Sequence, residues 1–232
     1  MNSLHHLFLT ALFLSSNVSA ADWPTWGGDA TRNMVSLETG LDFDFEPGEM
    51  NDDESVKMDT TKNIKWVAKL GSQAYGNVTI ANGRVFAGTN NESPRDDGKK
   101  GDRGVVMCFS EKSGDLEWQL VIPKLGAGKV SDWEYIGVCS SPAIEGNRVY
   151  VVTNKCEVVC LDIEGFKNGN DGPFMDEANY VKPKGTQDKL NEKFDADIIW
   201  MYDMRGAPPH RHALGPDQLH NKPCPHRGQV FL

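Results

Sequence analysis

An internal repeat is the feature that most constrains the fold of this chain. The segment NVTIANGRVFAGTN (77 to 90) aligns without gaps with SPAIEGNRVYVVTN (141 to 154). Each copy holds two runs of alternating apolar residues, separated by an Asn-Gly or Gly-Asn dipeptide that favours a tight hairpin. The repeated pattern therefore predicts equivalent β units along the chain.

Each hairpin is followed by two more strand-like runs, the second of which carries a tryptophan. The third runs are GVVMCFS (104 to 110) and EVVCLDI (157 to 163). The fourth runs are DLEWQLVI (115 to 122) and DIIWMYDM (197 to 204). A similar run, NIKWVAKL (63 to 70), precedes the first copy. In all three tryptophan runs the sequence reads Ile or Leu, any residue, then Trp, at Trp66, Trp118 and Trp200.

Four short strands that end in a tryptophan strand, with almost no helical periodicity, are the pattern of a β-propeller blade. We predict an all-β chain that forms a partial β-propeller of four-stranded antiparallel blades, with about two complete blades plus fragments. A blade buries its faces against its neighbours, so the next blade is expected to cover Trp118. An ordinary β-sandwich with internal similarity is the alternative.

The stretch CFSEKSGDLEW (108 to 118) resembles the pyrroloquinoline-quinone (PQQ) repeat, whose signature is a small residue, Asp, Thr-Gly, three residues and Trp. Ser113-Gly114 and Trp118 match the Thr-Gly and Trp positions. Ser110 stands where Asp is common in that family, whereas the second copy keeps Asp162. The opening DWPTWGGDATRN (22 to 33) resembles the entry segment of exported PQQ-repeat propellers, which implies that its tryptophans anchor the N-terminus or pack locally.

The resemblance implies two kinds of function. The family includes scaffold proteins that bind no cofactor, and quinoprotein dehydrogenases whose propellers hold PQQ and Ca²⁺ and oxidise alcohols or sugars. In many of those dehydrogenases the quinone stacks between a Trp and a disulfide of adjacent cysteines, and this sequence has no Cys-Cys pair. We therefore expect a binding or scaffold module, with the dehydrogenase, or a fragment of one, as the alternative and a carbohydrate-binding propeller as a further possibility.

The chain divides into four predicted segments. Residues 1 to 20 form a predicted secretory signal, with a short apolar core and the small residues Val-Ser-Ala before position 21. A buried N-terminal helix is the alternative for this segment. Residues 21 to 62 are an entry segment, 63 to 204 the blades, and 205 to 232 an irregular Pro/His-rich tail. We expect the mature protein to be periplasmic or extracellular, with no transmembrane segment after signal cleavage.

The predicted binding surface lies in the polar loops between strands and between blades. The loops 91 to 103, 123 to 138 and 165 to 196 are expected to meet a protein partner, or the remaining propeller blades. Within the second loop, Trp133, Glu134 and Tyr135 offer a stacking platform beside a carboxylate, which suits a sugar or a quinone. The interpretation that we favour from the sequence is that Trp133 packs into the seam between blades, with the ligand-facing role as the weaker candidate.

The acidic stretch 38 to 54 alternates carboxylates with apolar residues. Asp42, Asp44 and Glu46 would share one face of a strand and could serve a hard cation, while the aromatic residues face inward. The interpretation that we favour is a solvated strand face or an acidic loop, with the cation site as the alternative. The net charge of −9 and the lack of a long basic run argue against nucleic acid as a partner.

The tail from residue 205 combines many prolines with most of the histidines. Such proline density excludes ladder strands. We predict no metal site, and the alternative is a site that uses the histidines and the cysteine of this tail: His210, His212, His220, Cys224 and His226. The segment GQVFL (228 to 232) resembles GRVFA (83 to 87). A truncated third blade and a genuine disordered tail are the competing interpretations.

The five cysteines do not define a disulfide framework. Cys156 and Cys160 lie in one predicted strand, about 13 Å apart at ~3.3 Å per residue, too far to be bridged. Cys108 and Cys160 occupy equivalent places in the repeat and are expected to be small apolar core residues.

Overall fold

The two predicted β units are present as two four-stranded antiparallel sheets. The computed structural model describes residues 21–126, 133–183 and 185–205. The strand order is β1-β2-β3-β4 in the first sheet and β5-β6-β7-β8 in the second, with every strand paired to its neighbour along the chain. The strands are β1 (Thr79–Ala81), β2 (Arg84–Asn90), β3 (Gly104–Ser110), β4 (Leu116–Ile122), β5 (Ala143–Glu145), β6 (Arg148–Val152), β7 (Glu157–Asp162) and β8 (Ile198–Asp203). The all-β prediction is confirmed.

The repeated dipeptide makes the first turn of each sheet. Asn82 and Gly83 both have positive φ, at 53° and 71°, as a two-residue type I′ hairpin requires. The same register follows in both sheets, where Phe86 pairs with Cys108 and Tyr150 pairs with Cys160. The equivalence read from the sequence therefore extends to the pairing of individual residues.

A row of side chains crosses each sheet at its centre. In the first sheet the row ends at Trp118, which pairs with Cys108 and whose ring lies 5.9 Å from that of Phe86. In the second sheet Trp200 pairs with Cys160, and its ring lies 6.1 Å from that of Tyr150. Each sheet thus contains its own tryptophan and aromatic partner, and the strands alone determine this arrangement.

The two sheets pack face to face and share the main hydrophobic core. The first sheet contributes the face that carries Trp118, which is 1% exposed. The second sheet contributes Val149, Val151 and Leu161, together with apolar residues of the segment that follows β7. At about 25 cal/mol per Å² of apolar surface removed from water, this interface is the main source of stability between the sheets.

The run 63 to 70 covers the opposite face of the first sheet. It is not a strand, but Trp66, Ala68 and Leu70 pack against a second cluster that includes Val105 and Phe109. The rings of Trp66 and Phe109 lie 6.5 Å apart. The first sheet is therefore covered on both faces.

One tryptophan contact occurs twice, at the same spacing along the chain. The indole N–H of Trp66 donates to the carbonyl oxygen of Glu111 at 2.8 Å, and that of Trp118 donates to Ile163 at 2.9 Å, each 45 residues further on. A glycine with positive φ lies against each ring, because a Cβ on Gly114 would come within 2.6 Å of Trp66 and one on Gly165 within 2.9 Å of Trp118. The contact is therefore part of the repeat.

The N-terminal segment bonds to the first strand of both sheets. The backbone of Trp23 exchanges two hydrogen bonds with Ile80 of β1, at 2.7 and 3.0 Å. The amide of Ile144 in β5 donates to the carbonyl of Pro24 at 2.8 Å. The entry segment thus joins β1 and β5, the first strands of the two sheets, whereas Trp26 is exposed.

The rest of residues 21 to 62 contains little regular structure. Between residues 21 and 78 the structure contains one named element, a short 3-10 helix at Met58–Thr60, and the acidic stretch 38 to 54 is not a strand. Phe43 and Phe45 are exposed, so the prediction of inward-facing aromatics is wrong. An alternating sequence needs a partner strand to form a sheet, and no strand lies beside this stretch within the described part of the chain.

Candidate functional site

The connector between the sheets presents Trp133, Glu134 and Tyr135 on the surface. Trp133 is 67% exposed and Tyr135 is 39% exposed, so the favoured prediction that Trp133 packs into the seam is wrong. The Lys124 ammonium donates to the carbonyl oxygen of Trp133 at 2.6 Å. The amide of Tyr135 donates to Asp102 Oδ2 at 3.0 Å, which attaches the connector to the first polar loop.

Asn90, at the end of β2, holds two connectors together. Its Nδ2 donates to the carbonyl oxygen of Tyr135 at 2.6 Å and to the Ser72 hydroxyl at 2.9 Å. Its Oδ1 accepts from the amides of Ser72 and Glu92 at 3.0 and 3.1 Å. The buried Asn90 side chain is fully satisfied. The matching Asn154 makes a different contact, since its Nδ2 donates to the carbonyl oxygen of Pro123 at 3.1 Å.

Tyr75 is a third exposed aromatic residue on this side, and the sequence did not single it out. It is 61% exposed, and its hydroxyl donates to Gln73 Oε1 at 2.9 Å. The carbonyl oxygen of Gln73 accepts from the Thr89 hydroxyl at 2.8 Å and the Asn90 amide at 3.3 Å. Tyr75 and Tyr135 are therefore carried on connectors that meet at the same end of β2.

The two polar insertions, 91 to 103 and 165 to 196, are joined by a buried ion pair. Lys99 is 1% exposed, and its ammonium bonds both carboxylate oxygens of Asp195, at 2.7 and 2.9 Å. Its third contact is Asp96 Oδ2 at 2.8 Å. Burial raises the pKa of Asp195, while the bond from Lys99 opposes that shift. A buried lysine with three satisfied donors is a structural contact that fixes both insertions in place.

A second ion pair joins the insertions, and two backbone hydrogen bonds join the second insertion to β4. Arg103 forms a largely buried ion pair with Asp188. The amide of Gln119 donates to the carbonyl of Phe194 at 2.6 Å, and the amide of Ala196 donates to Gln119 at 2.8 Å. The end of the second insertion therefore runs alongside β4 of the first sheet.

A depression of about 610 Å³ lies where the insertions meet. It is lined mainly by charged and amide residues, whose aliphatic stems also contribute to its surface: Asp96, Gly98, Gln187, Asp188, Lys189, Leu190, Asn191, Glu192 and Lys193. Such a surface suits a polar partner better than an apolar small molecule. No sequence signal predicted that residues 96 to 98 and 187 to 193 would come together.

Two buried carboxyl groups anchor the second insertion to the start of β8. Burial raises the pKa of Asp197 to about 7, and the nearby charges of Glu177, Asp162 and Asp171 act in the same direction. The amide of Asp171 donates to Asp197 Oδ2 at 2.8 Å and opposes the shift. Burial also raises the pKa of Glu177. Both groups are enclosed, so they act on stability and not on an exposed ligand.

The acidic candidates at 42 to 46 have partners within the chain. Asp42 contacts the Asn63 side chain, Asp44 contacts Lys62, and Glu46 pairs with Lys62 through the backbone. Among the described residues no group of three or more His, Cys, Asp or Glu side chains is placed to hold a metal ion. The alternative tail site at His210, His212 and His220 lies outside the described residues.

The four described cysteines are free thiols. Cys108 and Cys160 are buried at matched positions of the two sheets, and burial raises the pKa of Cys160 to about 12. Both are core residues, as their place in the repeat predicts. Because no described pair is bridged and no described cluster suits Ca²⁺, the described residues do not fit the PQQ and Ca²⁺ site of a quinoprotein dehydrogenase.

Comparisons with known proteins identify no family for this chain. No protein-family model matches its sequence. No curated protein matches it either. Within the described ranges, no helix is long and apolar enough to cross a membrane.

Proposed function

We propose that this chain is an exported β-propeller protein of PQQ-like repeats that acts as a binding or scaffold module. The observation that carries the proposal is the tryptophan contact, repeated at a spacing of 45 residues with a glycine under each ring. A contact that joins one unit to the next in the same way each time is what a ring of blades needs.

The joined insertions support a binding role. The ion pairs Lys99–Asp195 and Arg103–Asp188 hold the two polar loops together as one surface, and this surface lies beside β4 of the first sheet. Loops fixed on a rigid sheet scaffold commonly carry binding functions. The depression lined by Lys189, Lys193 and several carboxylates is suited to a polar protein partner.

The first experiment is purification of the untagged protein from its own host, with its intact mass and N-terminal sequence. Export with signal cleavage predicts an N-terminus at Ala21. Retention of Met1 would overturn the exported part of the proposal.

The binding role is tested on the same material. We expect a protein to co-purify in stoichiometric amount, and we expect its recovery to fall about tenfold for the charge reversals Lys189→Glu plus Lys193→Glu. Lys57→Glu is the control, since Lys57 is exposed on the entry segment, outside the insertions. Equal recovery of the co-purifying protein with the wild type, the Lys189/Lys193 double variant and Lys57→Glu would contradict a partner surface at the insertions.

The dehydrogenase alternative is separated by reconstitution. The purified protein is incubated with PQQ and Ca²⁺, and reduction of a redox dye is followed with alcohols and glucose. The scaffold proposal predicts no reduction above a protein-free control. Reduction that requires both PQQ and the protein would favour the dehydrogenase.

A further inference from the structure

Three aromatic side chains are exposed on the connectors that meet at the end of β2. Tyr75, Trp133 and Tyr135 have exposed fractions of 61%, 67% and 39%. Large aromatic side chains contribute more free energy to contacts than other residue types, and grouped exposure commonly marks a binding surface. Neither the sheet packing nor the joined insertions use these rings.

The connectors that carry them are held firmly. Asn90 bonds Tyr135 and Ser72 at once, and the Gln73 carbonyl accepts from Thr89 and Asn90. The backbone at Trp133 is held by Lys124. A surface whose backbone is already fixed loses little conformational entropy when a ligand binds.

Tyr135 is also held in an unusual backbone conformation. Its φ is 55°, in the left-handed region that bulky residues rarely occupy. Hydrogen bonds fix both sides of the residue, since its amide donates to Asp102 and its carbonyl accepts from Asn90. Strain that the surrounding structure maintains in this way is found at functional sites.

The polar groups around the rings indicate the ligand class. Glu134 is exposed and Gln73 is half-buried on the same connectors as the aromatic residues, and the Gln73 side chain accepts from the Tyr75 hydroxyl. Ring faces combined with carboxylate and amide acceptors suit a ligand that offers both C–H faces and hydroxyl donors. The net charge of −9 disfavours an acidic polymer.

We propose that Tyr75, Trp133 and Tyr135 form a stacking surface for a neutral polysaccharide of pyranose units. This inference rests on the proposed binding function and assigns a ligand class to the connector side of the protein. It is independent of the partner surface at residues 187 to 193.

The test is affinity electrophoresis of the full-length protein in gels that contain a neutral polysaccharide. The probes are a mixed-linkage β-glucan, a galactomannan and a soluble starch, and alginate serves as the acidic comparison. We expect at least one neutral probe to retard the protein, and alginate not to do so. Trp133→Ala should weaken the retardation about tenfold, with an unchanged circular dichroism spectrum because the ring is exposed.

Trp26→Ala is the matched control, because Trp26 is also exposed but lies on the entry segment. Its retardation should equal that of the wild type. Failure of every neutral probe to retard the wild type would overturn the inference, as would retardation that survives Trp133→Ala. Co-purification that depends on Lys189 and Lys193 would still stand in either case, so the two proposals fail separately.

Discussion

The two sheets have matching strands and the same register, but among the residues that the structure describes only the first sheet is seen to be covered on both faces. Leu120 is fully buried at the position that follows Trp118 by two residues, whereas Tyr202, two residues after Trp200, is 53% exposed. Trp200 itself is only partly buried. Each sheet therefore forms its own row of paired side chains, but whether that row is buried depends on what packs against the sheet.

The connection after the third strand shows that the unit tolerates a long insertion between its third and fourth strands. In the first sheet it is short, and the amide of Ser110 donates to the carbonyl of Asp115 at 2.9 Å. In the second sheet a long insertion separates the strands, yet the backbone amide of Asp162 still donates to the backbone carbonyl of Asp197 at 3.0 Å. A long insertion adds only a slowly growing entropic cost when its two ends stay together.

The largest expected difference between the sheets is in the tryptophan substitutions. Trp118→Ala should lower the free energy of unfolding by about 3–5 kcal/mol, because it removes a buried ring and its bond to Ile163. Trp200→Ala should cost much less, since that ring is only partly buried. Urea denaturation of both variants measures the difference. Equal losses would mean that the face carrying Trp200 is covered as well as the other.

The next largest effect is expected at the ion pair that joins the two units. Lys99→Met leaves Asp195 buried without its cation and should lower the free energy of unfolding by about 3 kcal/mol. Lys100→Met is the neighbouring control, because Lys100 is exposed and lies 3.7 Å from an exposed Asp97. Its effect should stay within about 0.5 kcal/mol. A small loss for Lys99→Met, measured by thermal and urea unfolding, would show that the insertions do not depend on each other.

The buried Asp197 should make the second unit sensitive to pH. Because burial raises the pKa of Asp197 to about 7, its contribution to stability is complete at low pH and is lost as the pH rises through 7. Asp197→Asn should therefore gain stability relative to the wild type between pH 5 and 8, on the order of 2 kcal/mol. Asp115→Asn, at the exposed matching position, is the control for the urea titrations. A constant difference across this range would contradict the burial of an ionising carboxyl group.

The smallest effect separates ring contact from backbone strain. Gly165 and Gly146 have similar φ, at 62° and 57°, but only Gly165 lies against an indole ring. Gly146→Ala should cost about 1 kcal/mol through strain alone, and Gly165→Ala about 1–2 kcal/mol more through the clash with Trp118. Thermal unfolding of the two variants gives the comparison. Equal costs would show that the Trp118 ring moves aside freely.

The local parts of this structure could be predicted from the sequence, and the distant contacts could not. The turn dipeptides and alternating runs place all eight strands, because hairpin register depends on neighbouring residues. The ion pair between Lys99 and Asp195 depends on where two insertions meet in space, and no spacing rule reports that. Tyr75 was missed because a single aromatic residue in a loop carries no pattern.

The alternating acidic stretch shows the opposite error. Its period of two predicts a strand face for Asp42, Asp44 and Glu46, but period alone does not supply a partner strand. Trp133 was expected to pack into the seam between blades, and the structure instead puts it on the surface. The fold determines that Trp133 is exposed, but it does not identify a ligand, so the ligand class is proposed.

The bonds of Trp23 and Pro24 set an order of events for a chain made from its N-terminus. The partner of Trp23 is residue 80 and that of Pro24 is residue 144, so neither bond can form until those strands have been synthesised. Contacts between such distant positions form late and slow the search for the native state. The contacts of the entry segment therefore form only after both of these strands are available, as a closing step.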